Sequence, residues 1–569
     1  MQTEIPEHLR EHIAEQNYEL YSAIDHASWR YIMRISKAFF KDHAHEKYIT
    51  GLEKTGITTE RIPKISEMDE KLKKMGWRAV TVSGFIPPSV FLEFQSLSIL
   101  PIACDMRSHE HLEYTPSPDI VHEAAGHAPI ISDPSYASYL HKFGEIARKA
   151  IFAKEDIEVY EAIKYLSDIK EAPGTTEEEI KKAYNQLDAA CARVSYVSEA
   201  AKLSRLGWWS IEYGLVRENN EFKIYGAGLL SSIGESYNAI VGDVKKVPLD
   251  INCVDVDYDI TKPQPQLFYV EDFKQLEGVI EELAATMAYR LGGVKGLELA
   301  RKASTVNTVE LDMGLQISGV LSNYIVNDSL EPIYLQFSGA TQLSYQDQEL
   351  AGHSAQYHKE GFGTPVGRLK TPKSADKINV GAMCELEFES GVKVVGECIS
   401  KLEKENKCLI ISFKNCTVRY GDQILFQPEW GTFDMGCGHD VTSVFGGAAD
   451  RGAYMRSTGQ LKGEIKKQHS NVTNINSELV PLYAQIRELR ERGVAAADFS
   501  TIEQVFVSLD KNFQLDWLLR LEILELLESD ILKSAKATVL KEKIKVQLDK
   551  ISQKSEVLAT LIRRGLEVI

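Results

Sequence analysis

Two histidines five residues apart, in a segment punctuated by glycine and proline, constrain the local fold of this 569-residue chain more than any other feature. They lie in Pro118-Asp119-Ile120-Val121-His122-Glu123-Ala124-Ala125-Gly126-His127. Imidazole is the commonest metal-binding side chain, so His122 and His127, with Asp119 and Glu123 close by, form a candidate two-point clamp. A zinc-protease motif sets its histidines at i and i+4 on one helical face, with a glutamate as general base. At i and i+5, a regular α-helix turns the rings roughly 140° apart. Both reach one ion only if the helix widens into a π-type turn or ends between them, which Gly126 and Pro129 permit. On this stretch alone, a metal site and an ordinary pair of histidines stand level.

A third ligand separates the readings. Gly207-Trp208-Trp209-Ser210-Ile211-Glu212-Tyr213-Gly214-Leu215 is an apolar and aromatic run with one carboxylate at its centre. A lone glutamate among large apolar residues is costly unless paired or metal-bound. Two histidines and one carboxylate on one face of Fe(II) leave the other positions open, the arrangement of non-haem iron oxygenases. Zinc fits the same ligands less distinctively.

A third segment, Tyr225-Gly226-Ala227-Gly228-Leu229-Leu230-Ser231-Ser232 with Gly234-Glu235, completes a pattern that resembles the pterin-dependent aromatic amino acid hydroxylases. The three motifs stand in the family's order, with a longer interval between His127 and Glu212. The resemblance covers about residues 25–300. It implies an oxidoreductase of the monooxygenase class, with Fe(II) held by His122, His127 and Glu212, and with a tetrahydropterin and dioxygen as cosubstrates. It sets Glu123 near the pterin and the metal-bound water without ligation, and Gly84 and Ile86 in a loop facing the pterin. Phe91 falls where the family stacks a ring on that cofactor, although a lone Phe in an amphipathic helix is more often core. Pro88 and Pro101 depart from the family pattern nearby.

For the substrate, the resemblance places Arg107 as a bidentate fork for an α-carboxylate and Thr115 at the substrate edge. Ser231 is carried toward the metal by a tight turn at Gly226–Gly228. Asp119, three residues before His122, is suited to fixing the imidazole tautomer. Trp208 occupies the position where phenylalanine hydroxylases carry Trp, so phenylalanine is the expected substrate and tyrosine and tryptophan are the alternatives. Two other classes compete: a zinc hydrolase on the same histidines, and a binding or scaffold protein whose C-terminal half carries the activity.

The rest of the chain is read from pattern. Trp29, Ile32, Ile35 and Phe39 step along one helical face. Alternating segments such as 384–388 and 408–413, with turns at Ser390-Gly391 and Gly421-Asp422, predict β-hairpins. Ile465, Val472, Ile475, Leu479, Leu482, Ile486 and Leu489 form a heptad-like stripe interrupted by Pro481, and a second stripe runs through Trp517, Leu521, Leu524 and Ile531. The expected fold is a mainly α catalytic domain with small β elements, followed by a β-rich segment and a C-terminal helical segment. The expected boundaries are 1–310, 311–455 and 456–569. The C-terminal stripe suits packing on the enzyme better than a homo-oligomer. His353 and His358 are also five apart, but no nearby motif supplies a third ligand, and Cys437-Gly438-His439 is similarly without partners.

A net charge of −17 argues against nucleic acid or an anionic membrane as the main partner. No apolar run approaches a membrane span and the N-terminus has no signal-peptide pattern. Eight cysteines without a Cys-x-x-Cys pair read as reduced thiols, so the cytoplasm is the expected location.

Overall fold

The computed structural model describes residues 4–107, 112, 118–171, 174–260, 262–371, 378–461 and 478–569. The N-terminal part is mainly helical. Its longest helix, Ala23–His43, begins at a capping box in which Ser22 and Asp25 satisfy each other's backbone N–H groups. Trp29, Ile32, Ile35 and Phe39 are buried, as their spacing predicts, but so are Arg30 and Tyr31 on another face. A helix buried on several faces has neighbours on several sides.

Two small sheets lie in the N-terminal half. Strands β1 (Arg78–Val82) and β2 (Ile99–Ala103) pair in parallel. Strands β3 (Leu215–Glu218), β4 (Glu221–Ile224), β5 (Lys245–Pro248) and β6 (Gln266–Val270) form a four-stranded sheet in the order β4-β3-β6-β5. Helices Pro134–Ala147, Lys154–Glu171, Glu177–Arg193 and Glu199–Gly207 fill the interval between the second histidine and Glu212.

Twelve strands follow: β7 (Val306–Leu311), β8 (Leu315–Val326), β9 (Pro332–Tyr345), β10 (Gln348–Glu349), β11 (Gly361–Pro365), β12 (Leu369–Thr371), β13 (Met383–Phe388), β14 (Val392–Lys404), β15 (Lys407–Tyr420), β16 (Gln423–Phe426), β17 (Phe433–Gly436) and β18 (Val441–Gly446). They make two six-stranded sheets. One runs β10-β9-β8-β7-β18 with β11 added on β9, the other β12-β13-β14-β15-β16 with β17 added on β15. Residues 310 and 455, the expected boundaries, fall inside β7 and the helix Arg451–Thr458. Leu297, Ala300 and Ala303 of helix Gly293–Ala303 share a core with Val309, Leu343 and Val444, so the catalytic half and the first large sheet are packed together.

The last helices, Val480–Glu491, Phe499–Asn512, Leu518–Leu527, Ala535–Ser552 and Glu556–Glu567, cover the second face of Ala23–His43. Arg30 bonds Glu522 at 2.7 Å and Glu525 at 2.8 Å, Tyr31 donates to the Leu561 carbonyl, and Trp517 meets the Tyr31 ring edge-on. Leu482, Ile486, Leu489, Trp517, Leu521 and Leu524 are buried as the stripes predict. Ile531 is the exception at 58 % exposure, because the helix ends at Leu527 and a short turn buries Leu532 instead. Pro481 lies in the first turn of Val480–Glu491 and starts that helix. Residues 465, 472 and 475 lie outside the described residues. All eight cysteines are free thiols, and no helix among the described residues is long and apolar enough to cross a membrane.

Candidate metal and cofactor site

Val121–His127 is a π-helix. Its wider turn brings the two imidazoles to one point, with His122 Nε2 and His127 Nε2 3.2 Å apart. Trp208–Glu212 is a second π-turn, and it delivers Glu212 Oε2 to 3.4 Å from His122 Nε2 and Oε1 to 3.3 Å from His127 Nε2. Ligands about 2.1 Å from one ion, at angles near 100°, stand roughly 3.2 Å apart, so these three residues fit a shared cation. Glu123 is farther, 3.9 Å from His127 Nε2, and its Oε2 is buried without a hydrogen-bond partner.

The tautomer of His122 follows from its neighbours. Ser231 Oγ donates to the Ala227 carbonyl at 2.8 Å, so at 2.9 Å from His122 Nδ1 it accepts the ring N–H. The Nε2 lone pair is then free to face the cation. Asp119 takes a different part from the one expected. Its Oδ1 accepts the backbone N–H of His122, while its two oxygens receive Nη2 and Nε of Arg107 at 2.9 and 2.7 Å. Asp119 therefore anchors the start of the π-turn, and Ser231 sets the imidazole.

Among the protein groups alone, a proton takes the place a cation would fill between the carboxylates and the imidazoles. Burial pushes His122 down to about 4, against the pull of Glu212. Burial would also lower His127, but Glu212 and Glu123 outweigh it and hold it at about 8. Glu212 is driven down to about 2 because the two imidazoles and the Gly228 N–H overcome its burial. Burial raises Glu123 to about 8, with Glu212 and Asp119 adding to the rise and His127 opposing it.

Close backbone approach holds the motifs together. A Cβ on Gly226 would stand 2.4 Å from the Glu212 carbonyl and 2.5 Å from the Gly214 nitrogen, and one on Gly126 would stand 2.7 Å from the Ala227 carbonyl. Only glycine permits this contact.

Residues 10–167 and 192–293 match the family of biopterin-dependent aromatic amino acid hydroxylases. Over those residues the chain is similar to that family. Phenylalanine-4-hydroxylase of Chromobacterium violaceum is 28% identical over 264 residues, 46% of this chain and 74% of the relative. The Pseudomonas aeruginosa protein of the same name is 27% identical, over 46% of this chain and 84% of its own. A crystal structure of the C. violaceum enzyme with iron and phenylalanine bound covers 48% of this chain and 87% of that one at 25% identity, with a TM-score of 0.37.

In this part of the chain the other expected residues fall around the triad to different degrees. Phe91, on helix Pro88–Ser96, is half-buried with its ring 6.3 Å from that of His127. Gly84 has a φ of 53° and donates its N–H to Asp105 Oδ2 at 2.9 Å, fixing the loop that carries Ile86. Ile86 packs on the cluster of Val80, Val82 and Phe94. Trp208 is stacked between Tyr213, at 4.5 Å, and Tyr258, at 4.3 Å, and its indole N–H meets Gln264 Oε1 at 3.3 Å. Tyr258 and Gln264 lie in the segment 257–270 that the sequence predicts to close the site, but their contacts with Trp208 are made across the fold and spacing does not reveal them. Arg107 is 5 % exposed, and Nη1 of its guanidinium also donates to the Ser231 carbonyl at 3.1 Å. Thr115 lies outside the described residues.

Proposed function

We propose that this chain is an iron- and tetrahydropterin-dependent monooxygenase that hydroxylates the ring of phenylalanine to give tyrosine. The observation that carries it is the triangle of His122, His127 and Glu212, whose sides of 3.2 to 3.4 Å suit three ligands on one face of Fe(II). Bound there, Fe(II) with the reduced pterin would supply the activation of dioxygen. The protein's own groups would position and protect. Ser231 and Asp119 hold His122, and Glu123, whose carboxyl is pushed up by burial, would offer a hydrogen bond beside the ligands. Phe91 gives a planar pterin a ring to stack on, and the loop of Gly84 and Ile86 borders it. Trp208, fixed on both faces by tyrosines, walls an aromatic pocket at a position that favours phenylalanine over the larger tryptophan. The space beside Gly207 is filled by Phe143, 3.3 Å from where a Cβ would sit, so the indole has little freedom to withdraw.

Arg107 is offered as the carboxylate-facing cation of the substrate site, held by Asp119. The catalytic unit is taken as residues 1–310, ahead of a β-rich unit to 455 and a helical unit to 569, in a cytoplasmic protein. Self-association through the C-terminal helices would need their outer faces, because the apolar stripe is already covered within the chain. Light scattering of the full chain tests that point.

The reading as a whole is tested by pterin-dependent oxygen consumption with phenylalanine, tyrosine and tryptophan, on protein prepared with and without Fe(II). Alanine at His122, His127 or Glu212 should remove iron and turnover together. Stoichiometric iron in Glu212→Ala would exclude that ligand, activity with Zn2+ alone would favour a hydrolase, and no turnover with bound iron would favour a scaffold.

A further inference from the structure

The second pair of histidines at five-residue spacing acquires a third partner in the fold. His353 and His358 lie in the segment between β10 and β11, and Asp434 lies on β17, in the other large sheet. His353 Nδ1 and His358 Nε2 are 3.1 Å apart, against 3.2 Å for the pair in the iron triad. One ligand atom from each of the three residues lies within 4.8 Å of the others. All three are buried, at 8 %, 8 % and 6 % exposure.

We propose that His353, His358 and Asp434 form a second metal site, which holds a divalent transition cation of the zinc class and clamps the two large β-sheets together.

The framework is built to hold these side chains still. Leu343 N–H donates to the His353 carbonyl at 3.0 Å and Thr341 N–H to the His358 carbonyl at 3.2 Å, so both histidines are tied to β9. Asp434 pairs in register with Ser412 of β15, and its Oδ1 accepts from Ser412 Oγ at 2.6 Å. That bond fixes the carboxylate, which Tyr357 also meets through a side-chain hydrogen bond that a cation would share or displace. The Tyr357 ring stands edge-on to both imidazoles and shields them from one side.

A proton shared between the two imidazoles would account for their separation, but it would not answer the charge of Asp434. Among the described residues no lysine or arginine pairs with that carboxylate. A buried carboxylate beside two buried imidazoles is costly without a positive charge, and a divalent ion supplies one while using the lone pairs of both rings. Two nitrogens and one oxygen suit zinc, iron or nickel alike. The burial of all three donors and their origin in two sheets favour a structural ion such as Zn2+ over a centre that must admit substrate. Sequence separation hid the site: Asp434 lies 76 residues beyond His358 and meets it only because β17 adds to β15.

The test uses the full chain carrying His122→Ala and Glu212→Ala, so that zinc cannot occupy the iron triad. Titrated with Zn2+ against a chromophoric chelator, this protein should take up about one equivalent, and its melting temperature should rise on binding. Adding Asp434→Asn, which keeps the shape and an acceptor for Ser412, should weaken zinc binding by at least about tenfold, and His353→Gln should abolish the thermal shift. Co2+ in place of zinc should show ligand-field bands that disappear in the same variants, a readout independent of stability. Absence of a tight zinc equivalent in the triad-deficient chain would overturn the proposal, and so would an equivalent that Asp434→Asn and His353→Gln leave unchanged.

Discussion

A single hydroxyl decides which nitrogen of His122 faces His127 and Glu212. Ser231 Oγ spends its proton on the Ala227 carbonyl and accepts from Nδ1, so Ser231→Ala leaves the imidazole free to rotate or change tautomer. Iron affinity should fall about 10- to 100-fold, as with other groups that orient a metal ligand, and chelator competition at fixed pH measures it. Unchanged affinity would mean that packing alone orients the ring. Arg107 was legible as a cation at the right spacing, but its buried partners were not. Because its fork is engaged by Asp119, Arg107→Lys should raise KM for the amino acid and also destabilise the fold by about 1–3 kcal/mol. Urea unfolding beside steady-state kinetics separates the two effects, and a KM change without loss of stability would show that the Asp119 pairing contributes little. The convergence of His122, His127 and Glu212 was legible because these residue types are rare in such surroundings. Ser231's choice of partner was not, since it depends on a contact between residues 109 positions apart.

At the scale of elements, the five-residue histidine spacing foretold the π-turn at Val121–His127 because geometry left few other ways to bring both rings to one ion. The second π-turn, at Trp208–Glu212, had no such signature, since it brings only one residue, Glu212, to the cluster. Helical faces and hairpins were readable from periodicity. Of the β3–β6 sheet, β4 and β6 were readable as short extended runs, but β3, β5 and the pairing were not, because strands of four or five residues carry too short a pattern. The joining of the motifs rests on glycine: Gly226→Ala forces a methyl against the Glu212 carbonyl and the Gly214 nitrogen, both backbone atoms that cannot rotate away. The expected cost is about 2–4 kcal/mol, with loss of iron exceeding loss of helicity. Metal content and circular dichroism on one sample check this, and full iron retention would show that the two segments can part without consequence to the site.

Over the whole molecule, the sequence showed that three kinds of structure follow one another but not how they grip. One grip is a buried carboxylate, Glu93, on the helix that also carries Phe91. Its Oε1 meets His8 Nε2 at 3.0 Å, and its Oε2 receives the guanidinium of Arg451, which follows β18 in the β-rich part. Burial would raise the Glu93 carboxyl, but Arg451 and His8 outweigh it and hold it down at about 2, below its ordinary 4.5. A depressed carboxylate contributes stability above its unfolded pKa and loses it as pH falls toward the folded one. The window is therefore from pH 4.5 down to about 2. At neutral pH the contribution is about 2–3 kcal/mol, from roughly 1.4 kcal/mol per pKa unit discounted for relaxation of the unfolded state. Glu93→Gln keeps the shape and removes the charge, so the variant should be less stable than the parent by about that amount at pH 7, with the gap closing as pH falls below 4.5. Because Phe91 lies two residues away, the same variant should raise KM for the tetrahydropterin more than it lowers kcat, linking the grip of the β-rich part to the cofactor face. Denaturant unfolding at pH 7 and pH 3, with pterin kinetics at pH 7, checks both limbs. A stability gap as large at pH 3 as at pH 7 would show that Glu93 acts through packing and that charge is not what joins the two halves.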